Sequence, residues 1–254
     1  MLPGIDDGPR DIEGSIDMAR ASLASGVGVL VATPHLRSDF PDVHVAELAR
    51  YCHSLRDALR HHGVQQEIVC GAEVSLSWAM NATDEELVLA SYGQRGRDLL
   101  IETPPGSVEG LPRLLYELRR KGFRITLAHP ERNQELQRKY ALLEDLAHQG
   151  VLLQINAESL IASPRGSSAA RLARHLCLAG LVHAMASDAH RASSWRPASQ
   201  LSEACPFACE LIGTERTAWM TFDVPTAIVG GTAVPEQPAI IRRSRSFAWP
   251  SRRR

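Results

Sequence analysis

Histidine and carboxylate side chains recur along this chain at one kind of position, directly after a short apolar run. Apolar runs of this kind predict strands buried on both faces, as in a parallel sheet. Since the carboxyl ends of parallel strands lie at one edge of the sheet, these side chains are expected to converge. They are His35, Glu73, Glu102, His129, Asp188 and His190. All are good ligands for divalent metals, so the pattern predicts a metal-dependent enzyme.

Helix-like segments alternate with the apolar runs. The predicted strands are 27–33, 67–72, 98–103, 124–129, 151–156 and 181–187. Helices are predicted between them, among them one capped by Asp42 and one over 134–149. Repeated βα units imply a parallel sheet, and ligands at so many strand ends favour a closed or nearly closed barrel over an open sheet. We predict one domain over 1–230 and a disordered, Pro- and Arg-rich tail over 231–254.

Charge and composition exclude several classes of protein. The formal net charge of −1 gives the chain as a whole no nucleic-acid signature. Residues 242–254 carry six arginines and no acid, so the other residues carry 22 basic and 29 acidic side chains, a formal charge of −7. No apolar stretch is long enough for a membrane span and no signal peptide is visible, which predicts a cytoplasmic protein with reduced cysteines.

The basic tail leaves two alternatives open. Its arginines are able to attract an anionic membrane surface, and otherwise it is only a disordered end. The sequence also leaves open whether the chain forms a homo-oligomer.

The ligand set is mixed, with three histidines and four carboxylates once Asp7 is included. Such a set suits clusters of two or three manganese, iron or zinc ions, which bind phosphate oxygens and lower the pKa of a bridging water. Arg132 and Arg196 follow the last two histidines on loops at the same face. Arginine binds phosphoryl oxygens bidentately, although for either residue alone a solvated loop arginine is the favoured interpretation.

At these residues the chain resembles the polymerase-and-histidinol-phosphatase (PHP) superfamily, and more closely the CpsB/CapC-type bacterial protein-tyrosine phosphatases of capsule and exopolysaccharide synthesis. The resemblance covers about residues 2–230. Each matching segment is weak alone, but their order and spacing together are specific. The segments are Leu2-Pro3-Gly4-Ile5-Asp6-Asp7-Gly8, Ala32-Thr33-Pro34-His35, Gly71-Ala72-Glu73, Leu100-Ile101-Glu102, Ala128-His129-Pro130-Glu131-Arg132 and Ala186-Ser187-Asp188-Ala189-His190.

The resemblance implies a distorted seven-stranded TIM-like (β/α) barrel with a trinuclear, usually manganese-activated centre. The implied metal ligands are Asp7, His35, Glu73, Glu102, His129, Asp188 and His190. Arg132 and Arg196 match the phosphate-binding arginines, and no cysteine nucleophile is implied. The implied substrate is phosphotyrosine in the tail of the bacterial tyrosine autokinase that drives polysaccharide polymerisation and export.

The chain departs from the family pattern at its start. The family begins with a strand that carries Asp-x-His-x-His just before the Leu-Pro-Gly-Ile-Asp-Asp-Gly segment, whereas this sequence starts with Met1 at that point. We therefore expect the first strand and two ligands to be missing from the sequence as given. Met1 is then either an internal methionine of a longer reading frame, which we favour, or the start of a chain with an impaired metal centre. Two other functions stay open, a small-molecule phosphoesterase like histidinol phosphatase and a non-catalytic phosphopeptide-binding protein.

Overall fold

The computed structural model describes residues 1–193 and 196–241 as an alternation of helices and strands. The strands are β1 (Val29–Ala32), β2 (His35–Leu36), β3 (Glu67–Cys70), β4 (Glu73–Val74), β5 (Asp98–Glu102), β6 (Arg124–Ala128), β7 (Leu152–Asn156) and β8 (Ala184–Ala186). The helices are α1 (Ile12–Ala24), α2 (Leu48–His61), α3 (Leu76–Asn81), α4 (Asp84–Ala90), α5 (Leu111–Arg120), α6 (Gln134–Arg138), α7 (Ala141–His148), α8 (Ala157–Ile161), α9 (Ser168–Leu178), α10 (Gln200–Ile212), α11 (Thr214–Ala218) and α12 (Val224–Gly230). The predicted α/β class is therefore confirmed.

All strand pairings between these strands are parallel. β1 pairs with β3, and the other strands form a six-stranded sheet in the order β2-β4-β5-β6-β7-β8. β2 and β4 follow β1 and β3 after two residues each, so the order of the strands in space follows their order in the chain. Their carboxyl ends consequently lie at one edge, as repeated βα units predict.

Predicted strand 27–33 ends early because of Pro34. Proline has no backbone N–H to give to a neighbouring strand, and the chain pairs again only from His35 onward. The opposite strand is interrupted at Gly71, where an added Cβ would lie 2.8 Å from Cδ1 of Tyr92. Gly71 is thus required by the close approach of the Tyr92 ring, and Glu73 begins the next strand in register with His35.

The core lies between the sheet and the helices. β5 is buried at all five of its residues. The apolar face of α5 adds Leu111, Leu115 and Leu118 to the same buried core. α2 buries Leu48, Cys52, Leu55 and Leu59 at helical spacing, as the sequence predicts. This buried framework fixes the strand ends that carry the candidate site residues.

Two predicted helices begin or end at other residues. Asp42 does not cap α2, because a 3₁₀ turn over Val45–Glu47 intervenes and the helix begins at Leu48. The predicted helix 134–149 is divided into α6 and α7 around Lys139 and Tyr140, where Lys139 leaves the helical conformation with ψ 46°. The apolar pattern continues across this break, so hydrophobic periodicity alone did not reveal it.

Residues 200–241 complete the described chain. α11, a π-helical turn over Trp219–Asp223 and α12 follow α10 almost without interruption. Residues 231–241, predicted as part of a disordered tail, lie against this body, since Trp219 Nε1 donates to Pro235 O and Arg216 Nη1 donates to Pro238 O. These hydrogen bonds explain why this part of the predicted tail is held in place. The rest of the predicted tail, 242–254, lies outside the described residues.

Within the described ranges, no helix combines the length and the apolar character that crossing a bilayer would require.

Candidate metal centre

The strand ends deliver the predicted ligands to one place. His35 begins β2, Glu73 begins β4 beside it, and Glu102 ends β5. His129 follows β6, and Asp188 and His190 follow β8. A cavity of about 240 Å³ is lined by six of the seven predicted ligands, namely Asp7, His35, Glu73, His129, Asp188 and His190. Glu102 completes the set through its approach to His35.

One group of potential ligand atoms comes from Asp7, His35 and His190, whose ligand atoms lie within 4.8 Å of one another. Asp7 Oδ1 is 3.6 Å from His35 Nε2 and 3.3 Å from His190 Nε2. Burial raises the pKa of Asp7, but its hydrogen bond with His190 and the nearby positive charges outweigh burial and lower that pKa to about 2. The Asp7 carboxylate is therefore ionised throughout the ordinary pH range.

The orientation of His190 suits metal binding. Its Nδ1 lies 2.8 Å from the carbonyl oxygen of Asp188, which only accepts hydrogen bonds, so Nδ1 carries a proton and donates. Nε2, which lies 3.3 Å from Asp7 Oδ1, is then the ring nitrogen that would bind a metal ion placed beside Asp7. Histidine ligands commonly donate their second ring N–H to a carbonyl in this way, which fixes the tautomer.

A second group is formed by His35, Glu73 and Glu102. His35 Nδ1 lies 3.9 Å from Glu73 Oε2 and 4.0 Å from Glu102 Oε2, and this buried nitrogen has no hydrogen-bond partner among the described residues. Buried polar atoms normally have a hydrogen-bond partner. An unpartnered ring nitrogen that faces two carboxylates is typical of a metal ligand. Burial, followed by the charge of Glu73, raises the pKa of Glu102. A cation placed there would offset this repulsion.

His129 and Glu73 form the tightest contact among the predicted ligands, with 2.8 Å between Nε2 and Oε1. Burial is the largest single influence and lowers the pKa of His129. The charge and hydrogen bond of Glu73, with the charges of Asp188 and Glu131, together outweigh burial and raise that pKa to about 9. Burial likewise raises the pKa of Glu73, and the charge of His129 lowers it overall. Each side chain thus keeps the other charged in a buried place, a role that a metal ion bound between them would take over.

Asp188 brings the predicted phosphate-binding arginines together. Its Oδ2 atom is 3.3 Å from Arg132 Nη1, 3.1 Å from Arg196 Nη1 and 2.6 Å from Asn156 Nδ2. The Arg132 side chain is 42 % exposed and that of Arg196 is 11 % exposed, so one guanidinium lies at the mouth of the site and the other within it. Positive charge is therefore concentrated beside the predicted metal ligands.

The backbone is strained at this site. His129, Asp188 and Arg196 have φ values of 36°, 50° and 48°, and the only other non-glycine residue with positive φ in the described part of the chain is Gln94. The left-handed region costs L-residues energy, and such residues cluster at functional sites. The turn after β6 and the loop after β8 thus direct these side chains toward the centre, and the cost is strain in the backbone.

Several residues of the site escaped the sequence analysis. Arg37 Nη1 donates to Glu102 Oε1 at 2.7 Å, and Arg191 Nη1 donates to the carbonyl oxygen of Asp7 at 2.8 Å, which fastens the Asp7 loop to the loop after β8. Asn156 ends β7, the one predicted strand end to which no function was assigned. Its position was the available signal, whereas nothing in the local sequence singled out Arg37 or Arg191.

The donor set fits divalent metal ions. It combines imidazole nitrogens with carboxylate oxygens, most of them buried, and two groups share His35. Such mixed nitrogen and oxygen sets suit manganese, iron or zinc. The chain thus has residues able to hold at least two neighbouring ions.

Comparison with known proteins agrees with this arrangement. Residues 1–230 match the family model described as "Capsular polysaccharide synthesis, CpsB/CapC". The chain belongs to the CpsB/CapC family. The sequence is 28% identical to the tyrosine-protein phosphatase YwqE of Bacillus subtilis (strain 168) over 253 residues, which cover 98% of this chain and 97% of that protein. It is 23% identical to the tyrosine-protein phosphatase CpsB of Streptococcus agalactiae serotype III (strain NEM316), over 84% of this chain and 88% of that one.

The fold is also that of a solved relative. A crystal structure from a study of YwqE from Bacillus subtilis and CpsB from Streptococcus pneumoniae, described there as unique metal-dependent tyrosine phosphatases, matches with a TM-score of 0.79. The match has 27% sequence identity and covers 95% of this chain and 97% of the other. The family assigned from the sequence motifs is therefore confirmed.

Proposed function

We propose that this chain is a metal-dependent tyrosine-protein phosphatase of capsule or exopolysaccharide synthesis. The observation that carries the proposal is the convergence of Asp7, His35, Glu73, Glu102 and His190 on two adjoining ligand groups, with two arginines on the neighbouring Asp188. The names of the related phosphatases support it. A phosphoric monoester is the substrate class that such a combination of cations and arginines stabilises.

The resident metal is proposed to be manganese, with iron or zinc as alternatives. Asp7 and His190 would hold one ion, and Glu73 and Glu102 a second. His35, whose neutral ring has one lone pair, is placed to complete either group, while His129 and Asp188 lie within reach of the same cavity. When bound, such ions supply Lewis acidity toward phosphoryl oxygens and lower the pKa of water. The predominance of carboxylates supports manganese over zinc.

The arginines have the task of holding the phosphoryl group. In the structure, Asp188 Oδ2 accepts contacts from both guanidinium groups, so both lie beside the candidate metal centre, where arginine can bind phosphoryl oxygens. Arg196, the more buried of the two, is held close to His190 and Asp188 and orients the phosphoryl group. Arg132, at the mouth, neutralises charge on it and meets the rest of the substrate. Phosphoryl transfer is catalysed mainly by such positioning and charge neutralisation.

The proposed substrate is phosphotyrosine in the tail of a bacterial tyrosine autokinase in the cytoplasm. The capsular role of the family supports this partner. We also propose that the strands form the distorted seven-stranded barrel of the PHP type. The parallel strands, ordered in space as in the chain, and the ligands at their carboxyl ends support that architecture.

The test is manganese-dependent release of phosphate from a phosphotyrosine peptide, compared with histidinol phosphate. We expect the peptide to be hydrolysed preferentially, with activity lost after chelation and restored by manganese, by the 254-residue chain or by a chain extended upstream with Asp-x-His-x-His. Preference for histidinol phosphate would favour the small-molecule phosphoesterase. Tight peptide binding without turnover would favour the binding protein, and the same assay on a chain extended upstream with Asp-x-His-x-His would then test the expected first strand.

A further inference from the structure

An open groove adjoins the candidate metal centre on the side of Arg132. It lies between α6, the start of α7 and the first turns of α9, and has a volume of about 830 Å³. We name it the basic groove after Arg132, Arg138, Arg171 and His175, which line it.

The charge of the basic groove is opposite to that of its surroundings. Three arginines and a histidine line it, and no Asp or Glu is among its lining residues in the described part of the chain. Outside residues 242–254 the chain is acidic, with 29 acidic and 22 basic side chains. Of the acids near it, Glu135 pairs with Lys139 at 2.8 Å, whereas Glu144 lies 4.0 Å from the lining residue His175, so the arginines carry the positive charge of the groove. A concentration of arginine without acid favours an anionic occupant.

Two of the arginines are available to such an occupant. Arg138 and Arg171 are exposed, and neither forms an ion pair within 4 Å with any carboxylate of the described residues. Arg171 donates to Pro164 O at 3.1 Å and to Ser168 Oγ at 2.6 Å, so its guanidinium is held against the start of α9. A fixed guanidinium loses less conformational entropy when it binds a carboxylate.

The basic groove and the candidate metal centre share one residue. Arg132 lines the groove and its Nη1 is 3.3 Å from Asp188 Oδ2. The groove therefore lies beside the position of a peptide whose phosphorylated residue would occupy the metal centre. Tyr140 and His175 also line the groove. Their rings pack edge to face, with the centroids 4.8 Å apart.

We propose that the basic groove binds acidic residues next to the phosphorylated tyrosine of a peptide substrate. This inference rests on the proposed function and adds a sequence preference to it. Arg138 and Arg171 receive Asp or Glu carboxylates of the extended peptide, while Arg132 stays with the phosphoryl group. Carboxylates on arginine form charge-assisted, often bidentate, hydrogen bonds, which select acidic over neutral flanking residues.

The test compares substrates that differ only beside the phosphotyrosine. Phosphotyrosine peptides of equal length, with acidic, neutral or basic flanks, are assayed with p-nitrophenyl phosphate, which is too small to reach the groove. For the double variant Arg138→Ala/Arg171→Ala we expect kcat/KM on the acidic peptide to fall about tenfold, through KM, as typical for loss of charge-assisted contacts. Turnover of p-nitrophenyl phosphate should not change.

A matched control removes two other exposed arginines. Arg50 and Arg60 on α2 form only local ion pairs, with Glu47 and Asp57, and line no part of the groove. Arg50→Ala/Arg60→Ala changes the net charge by the same amount and should leave the preference for acidic flanks intact. Higher salt should reduce this preference in the unaltered protein, because exposed pairs are screened.

Charge reversal predicts a gain of activity on one peptide, and a misfolded protein could not produce such a gain. Arg138→Glu/Arg171→Glu should raise kcat/KM on the basic-flanked peptide above the unaltered protein's value while lowering it on the acidic one. Equal effects on all three peptides, or none, would overturn the groove proposal. If no phosphorylated substrate is hydrolysed at all, the proposed function fails. The groove is then judged by fluorescence anisotropy of a labelled acidic phosphopeptide, where an equal Kd for the unaltered and reversed chains overturns it.

Discussion

Asn156 donates a hydrogen bond of 2.6 Å from its side-chain amide to Asp188 Oδ2. The backbone N–H of Asn156 in turn donates to Glu131 Oε1 at 2.9 Å, and Ser159 Oγ donates to the same oxygen at 2.8 Å. The buried Glu131 thus ties the end of β7 to the turn that carries His129 and Arg132. Through this chain of bonds one carboxylate outside the ligand set orients one inside it.

Asn156 is a positioning residue that does not contact the substrate, yet its replacement should impair the site. Asn156→Asp keeps the size but exchanges the donor for a carboxylate that repels Asp188, so it should lower kcat more than Asn156→Ala. Partners of metal ligands typically contribute 10- to 100-fold to affinity or activity. Steady-state kinetics and metal titration measure both effects, with the exposed Asn81→Ala as the control. Equal activity of Asn156→Asp and the unaltered chain would contradict the role.

His35 belongs to both ligand groups, whereas Glu102 belongs to one. We expect His35→Asn to reduce the manganese bound at equilibrium to a greater extent than Glu102→Gln, because the His35 ring is placed to complete either group and Glu102 only one. Elemental analysis after dialysis against manganese gives the stoichiometry. His53→Asn changes an exposed histidine on α2 and should bind as much metal as the unaltered chain. Equal metal contents in His35→Asn and Glu102→Gln would contradict this shared position of His35.

Arg196 is expected to act on the phosphoryl group rather than on the metal. Arg196→Ala should lower kcat by about 10²- to 10³-fold, the usual effect of removing one preorganised donor from a transition state. Arg196→Lys should recover only part of the loss, since lysine has the charge but not the planar pair of donors. Bound manganese should stay unchanged in both. Loss of metal in parallel with activity would instead assign Arg196 to holding Asp188.

His183 should make the fold sensitive to acid. Burial, with a further contribution from Arg216, lowers its pKa from 6.5 to about 4, and its Nδ1 accepts a hydrogen bond from Leu153 N at 3.2 Å. Because the folded chain binds this proton less tightly than the unfolded chain, the stabilisation is complete above pH about 6.5 and is lost as pH falls toward 4.

His183→Asn keeps an acceptor for Leu153 but does not titrate. Urea unfolding at pH 7 and pH 4.5 should show that the unaltered chain loses about 2 kcal/mol more stability than the variant over this interval. All other titrating groups are common to the two chains, so they cancel in the comparison. An equal loss in both would show that His183 is not responsible.

The strands and their terminal ligands were predictable because both are encoded locally. β5, β6 and β7 fall inside the apolar runs 98–103, 124–129 and 151–156, and the polar residue that ends a run must lie at the sheet edge. Positions such as Glu102 and His129 were accordingly visible without any structure.

Other features depend on contacts between distant residues and were not visible. Arg37 meets Glu102 across 65 positions, and Arg191 meets Asp7 across 184, with no local pattern to announce either pair. α10 escaped prediction as well. It contains Pro206, which removes one helical hydrogen bond and ordinarily marks the end of a helix, yet the packing of Ala204 and Ala208 in the core maintains it.

The positive φ angles of His129, Asp188 and Arg196 set activity against stability. Glycine adopts such angles freely, so Asp188→Gly would relieve backbone strain of the kind that costs about 1 kcal/mol or more per residue. Selection for thermostability alone, without an activity assay, would therefore favour substitutions at these positions. Such substitutions would remove side chains of the metal centre. Engineering this protein for higher stability therefore has to keep the three strained residues unchanged.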